Sequence, residues 1–142
     1  RVSHRNAGKL ADEKTAYDIM ARIAADENHH FIFYKSVVAE MLAENPSPVL
    51  ESMHRVLANF QMPGTGIPGY LRRAVAMAKS GVYNLRQHHD RVVVPLLRDW
   101  KVDQLIDLSP EAAEMQQKIM ELPKRILRRA DAFDRRFGEV TQ

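Results

Sequence analysis

Glu27 and His30 sit one helical turn apart in the run DENHHFIFY, residues 26–34. Side chains three residues apart share one face of a helix. A carboxylate and an imidazole so placed offer one oxygen and one nitrogen donor to a single ion, a mixture that suits iron. The pair also interrupts an apolar stripe. Between Asp12 and Glu44 the residues Ala16, Met20, Ile23, Tyr34, Val38 and Met41 recur at helical spacing and predict one long amphipathic helix. Glu27 and His30 take its two remaining seam positions, where a carboxylate is costly to bury unless a cation, a hydrogen-bond network or a metal compensates it.

Glu-x-x-His is the spacing of carboxylate-bridged di-iron bundles, but with nine Glu and six His in the chain roughly 0.4 such pairs arise by chance. From spacing and seam alone, a metal ligand pair and a polar patch on a helix interface stay equally open. Glu51 and His54 repeat the pattern. If the chain reverses near Pro46, Glu27 lies roughly 28 Å before the turn and Glu51 about 7 Å beyond it, so two adjacent antiparallel helices keep the pairs apart. Glu51 and His54 are therefore read as surface or interface residues. His88 and His89 are adjacent and point to different faces, which leaves one of them solvated and disfavours joint chelation. Met53, Met62, Met77, Met115 and Met120 read as core or loop fillers.

The elements that must position these residues are helices. After the long helix, NPSP is a stop, Ser47 a cap and Pro48 the start of a second helix with Val49, Met53, Val56, Leu57 and Phe60 inward. QMPGTGIPG, residues 61–69, is a loop. A third helix is expected from Tyr70 to Ser80 with Gly81 as its stop. Asn84 and Gln87 form a capping box for a fourth, which Pro95 should kink. Ser109 and Pro110 open the last, with Ala112, Met115, Ile119, Leu122, Ile126, Ala130, Phe133 and Phe137 on one side and a bend at Pro123. Short connections make neighbours antiparallel, so the expectation is an all-α bundle.

The chain has 142 residues, the length of one domain. It has no cysteine, which removes disulfides, thiolate metal sites and a cysteine nucleophile. The apolar runs are too short for a membrane helix, and a soluble protein without membrane insertion is expected. Net charge is +3, and bases gather in PKRILRRADAFDRRFG, residues 123–138. Ile126, Leu127 and Phe133 break that run at helical spacing, as on an amphipathic helix, so nucleic-acid binding is not the preferred reading. RVSHRNAGKL opens without a cap, a turn or an initiating Met. The chain reads as starting inside a helix, which suggests a fragment.

The runs SHRN, IAADENHHFIFYKSVVAEML, FQMPG, GVY and WKVDQLIDLSPEA, in this order and spacing, resemble the C-terminal half of the soluble acyl-[acyl-carrier-protein] desaturases. The similarity extends from Arg1 to about Arg129 and is nearer the actinobacterial branch than the plant one. It implies a ferritin-like di-iron helical bundle, of which residues 1–142 would be the C-terminal part of a single domain whose N-terminal half is absent. It further implies an oxidoreductase, a homodimer of the cytosol or plastid and here expected in the cytoplasm, that inserts a cis double bond into an acyl chain on acyl carrier protein with dioxygen and electrons from ferredoxin.

On this resemblance Glu27 and His30 are ligands to one of two irons, Glu27 in a bridging role. Asp26 supports a histidine on a partner helix. The family's DEKRH is here DENHH, so Asn28 and His29 depart from it at positions that are not ligands. The family uses four carboxylates and two histidines, and this chain offers one of each, so its long helix should expose a seam meant for other helices. Arg72 and Arg73 are candidate contacts for the acidic carrier. Phe31 and Tyr34 are candidates for pocket lining or core packing. A ferritin-like oxidase of another substrate class and a metal-free helical interaction domain are the alternatives.

Overall fold

A computed structural model describes residues 1–59 and 65–138. Phe60, Met62 and the first part of the expected loop lie outside them. The described residues form eight α-helices: α1 (Val2–Leu10), α2 (Lys14–Glu44), α3 (Pro46–Ala58), α4 (Tyr70–Lys79), α5 (Leu85–His88), α6 (Val94–Asp99), α7 (Pro110–Met120) and α8 (Leu122–Phe137). The all-α expectation holds.

Helix boundaries follow local chemistry. The long helix starts two residues later than its pattern suggests, because Asp12 adopts a left-handed backbone (φ 49°). Glu13 then accepts from the backbone N–H groups of Thr15 and Ala16 at 2.8 and 2.7 Å. Those two bonds hold the Glu13 carboxyl below its usual range. The resulting tight turn folds α1 back along α2. Gly8 makes that approach possible, since a Cβ there would lie 2.9 Å from Met20 Cβ.

The second helix begins at Pro46 rather than Pro48. Proline at the first helical position lacks a donor that would have no partner there, so a side-chain cap is not required. Ser47, freed from that role, accepts instead from the Ser109 backbone N–H at 3.0 Å and ties α3 to the start of α7. Ser109 caps α7 as expected, accepting from Ala112 N–H at 3.1 Å. Asn84 caps α5, accepting from Gln87 N–H at 2.9 Å, while the Gln87 side chain leaves the expected box and donates to the Gly81 carbonyl at 3.0 Å. The kink expected at Pro95 takes the form of a π turn over His89–Val93. Proline removes one donor and crowds the turn before it, and a widened turn relieves both. The bend at Pro123 is a break at Glu121 between α7 and α8.

The core gathers Leu42, Leu50, Leu97, Val102, Ala112 and Ile119, with Val38, Val49, Met53 and Trp100 packed around it. Leu50, Val102 and Ile119 are fully buried. Val56 and Leu57, expected inward on α3, are exposed. The first turns of α3 lie on α7, and Leu57 on its last turn borders an open cleft. The inner side of α7 and α8 follows the sequence pattern at Ala112, Ile119 and Ala130, all buried.

Candidate metal centre

Glu27 and His30 lie near the middle of α2, whose 31 residues make a rod about 46 Å long. Glu27 Oε2 and His30 Nδ1 are 3.5 Å apart, and both side chains are open to solvent. Asp26, one residue earlier, is exposed as well. The helix carries two apolar stripes, one residue out of step. Ala24 and Leu42 are buried, with Phe31 and Val38 half-buried between them, and this stripe faces the rest of the chain. Of the seam expected from the sequence, Val38 instead packs against the core and Met20 lies against Gly8 of α1, while Ile23, Glu27, His30, Tyr34 and Met41 face outward, with Tyr34 64% and Met41 49% exposed. Phe33 and Val37 extend the exposed apolar surface beside it.

A carboxylate oxygen and an imidazole nitrogen this close would reach one ion, and their donor chemistry suits iron. Among the described residues, no third His, Cys, Asp or Glu joins them. The donor chemistry of the pair fits iron, to which it would offer two ligands.

Three contacts hold α2 in place. Trp100 Nε1–H donates to the Lys35 carbonyl at 3.0 Å, and Lys35 Nζ pairs with Asp99 at 2.9 Å, joining α2 to the end of α6. The Lys35 hydrogen bond holds the Asp99 carboxyl below its usual range. One turn earlier on α2, Arg1 stacks over Phe31, 4.1 Å from the ring centroid, which closes the start of α1 against α2. Phe31 thus packs between helices, while Tyr34 points into solvent.

The second Glu-x-x-His pair divides between surface and interface. Glu51 is exposed, and His54 faces α7 near Glu114, whose charged form it favours after the larger effect of Lys118. Arg72 and Arg73 fall in the first turn of α4, both exposed.

The expectation that His88 or His89 is solvated does not hold. His88 Nδ1 is 2.8 Å from Tyr83 Oη, and the His89 side chain is only 14% exposed, 2.6 Å from Asp90. The π turn that starts at His89 changes where successive side chains project, so both rings turn toward protein. Burial pushes the Tyr83 phenol up and the His88 imidazole down, the latter helped by His89. Sequence periodicity carried no sign of this pair. Nor did it signal Asn6, whose Nδ2 donates to the Val82 carbonyl at 3.1 Å and links α1 to the turn before α5.

The described residues thus form a set of helices, the longest of which presents a carboxylate–imidazole pair on an outward apolar stripe. A sequence model of the family described as fatty acid desaturase matches residues 1–142, and the chain belongs to that family. The chain is 38% identical over 134 residues to DesA1 of Mycobacterium tuberculosis, which carries the name of an acyl-[acyl-carrier-protein] desaturase. That match covers 94% of this chain and 40% of DesA1. A stearoyl-[acyl-carrier-protein] 9-desaturase of Gossypium hirsutum is 28% identical over 89% of this chain and 34% of its own length. A palmitoyl-[acyl-carrier-protein] 4-desaturase of Ophrys sphegodes is 27% identical over 95% of this chain and 39% of its own. The chain thus spans about two fifths or less of the length of these relatives. No helix among the described residues is long and apolar enough to cross a membrane.

Proposed function

We propose that this chain is the C-terminal part of an acyl-[acyl-carrier-protein] desaturase domain and supplies one ligand helix of its di-iron centre. The observation that carries this reading is the Glu27–His30 pair, 3.5 Å apart on the exposed stripe of α2, in a member of the fatty acid desaturase family. Exposed apolar surface of this extent marks a face that another element covers. Helices bearing the remaining carboxylates and the second histidine fit that face. Glu27 and His30 would each give one donor, an oxygen and a nitrogen, to the iron held at this face. Asp26 holds an imidazole of the facing helix in one tautomer. Two irons bound there would supply the dioxygen chemistry that cis desaturation needs, with electrons from ferredoxin.

The chain's own residues orient and exclude. Ile23 and Tyr34, one turn to either side of the ligand pair, keep water from the seam once it is covered. Arg72 and Arg73 add positive charge on α4 where acidic acyl carrier protein would approach. The protein would act as a homodimer in the cytoplasm.

The test is Glu27→Ala and His30→Ala in the full-length protein, with iron measured by elemental analysis and acyl products by gas chromatography. Loss of iron together with loss of the new double bond is expected. Unchanged iron and unchanged product in both variants would sink the ligand assignment. A wild-type protein that holds iron yet forms no double bond would point to an oxidase of another substrate class, and one that holds no iron to a helical interaction domain.

A further inference from the structure

A cleft of about 1560 Å³ opens between α3, α4, the α5–α6 segment and α8. It exceeds the ~300–1,000 Å³ of common small-molecule pockets. Its described lining residues all lie outside α2, so it is separate from the Glu27–His30 seam. Met53, Leu57, Met77, Leu96, Ile126 and Phe133 give it an apolar wall drawn from four helices.

Bases outnumber acids around that wall. Of the two lining acids, Asp134 accepts from Arg86 at 2.8 and 3.0 Å, whereas Asp90 lies 2.6 Å from the His89 imidazole and has no Lys or Arg partner among the described residues. Arg73, Arg91, Arg125 and Arg129 also line the cleft, and among the described residues they form no ion pair. Four cations beside low-dielectric walls draw an anion, and the apolar wall draws a hydrocarbon.

We propose that this cleft is a second ligand site that takes a monomeric single-chain amphiphile with an anionic head, its chain along the apolar wall and its head among Arg91, Arg125 and Arg129. The site contains neither Glu27 nor His30, and the three arginines around the head are not those assigned above to the carrier. A concave surface drawn from several elements favours a small ligand over a flat protein face. A nucleic acid would leave the apolar wall uncovered.

The probe is a long-chain fatty acid with a photoreactive diazirine in its chain, applied below its micellar concentration to the full-length protein, with cross-links mapped by mass spectrometry. Cross-links are expected on peptides within 70–78 and 122–133. The methyl ester should label these at least tenfold less than the acid. Arg125→Ala with Arg129→Ala should cut labelling at least fivefold without changing the circular dichroism spectrum, and Arg125→Lys, which keeps the charge, should retain it. Labelling confined to residues 19–41, equal labelling by acid and ester, or undiminished labelling of the double variant would each overturn the site. If the double variant loses its helical spectrum, the acid-to-ester ratio on the wild-type protein and the Arg125→Lys labelling decide.

Discussion

Gly8→Ala sets two ordinary effects against each other on the helix pair that carries the candidate ligands. Alanine in place of glycine inside a helix stabilises by about 0.5–1 kcal/mol from backbone entropy. Here the added methyl would sit 2.9 Å from Met20 Cβ, 3.4 Å from the Tyr17 carbonyl oxygen and 3.5 Å from Tyr17 Cα. These are backbone or near-backbone atoms, which cannot swing aside as a side-chain end does. Carbon atoms rest about 3.5–4.0 Å apart, so α1 and α2 must separate by roughly 0.6–1 Å. Overpacking of this kind costs about 1–3 kcal/mol, and set against the helix gain the net expectation is destabilisation by up to about 2.5 kcal/mol. Urea denaturation followed by circular dichroism reads it as a lower midpoint at unchanged slope. The double variant Gly8→Ala with Met20→Gly removes the clashing Cβ, so the two changes should cost at least about 1 kcal/mol less together than separately. Stabilisation by Gly8→Ala, or strict additivity of the pair, would refute the close helix contact.

Other outcomes follow from the same packing. Ile119→Ala, at a fully buried position, should cost about 2–5 kcal/mol in urea denaturation, whereas Ile106→Ala, at 74% exposure, should stay within about 0.5 kcal/mol. Trp100→Phe removes the bond to the Lys35 carbonyl and should cost about 0.5–1.5 kcal/mol by the same measurement. Burial depresses His88, so between its folded value and 6.5 the unfolded chain binds more protons and stability rises with pH. That contribution is complete above pH 6.5 and is lost as pH falls below it; thermal melts of His88→Gln should show a smaller acid loss than wild type.

Local chemistry was legible wherever one residue decides it. Ser109, Pro110 and Asn84 open helices as their types require, and Pro95 and Pro123 disturb theirs. Glu13 was missed as a cap because a glutamate carboxylate reaches back only once Asp12 has turned left-handed. Ser47 was misassigned because its partner is Ser109, 62 residues away. The His88–Tyr83 pair depends on a π turn, which leaves no mark in a 3.6-residue pattern.

The sequence by itself determined that the chain is helical, that α2 is long, and that Glu27 and His30 share one of its faces, because a three-residue spacing needs only a helix. It did not determine which stripe of α2 the chain fills. Ala24, Phe31, Val38 and Leu42 compete at the same period with Ile23, Glu27, Tyr34 and Met41, shifted by one residue or about 100°. Tertiary packing decided between them: Arg1, Trp100 and the core around Leu50 close on the first stripe. The second, with Glu27 and His30, is left facing outward, because burial is a property of what lies opposite a residue and periodicity describes only the helix that carries it.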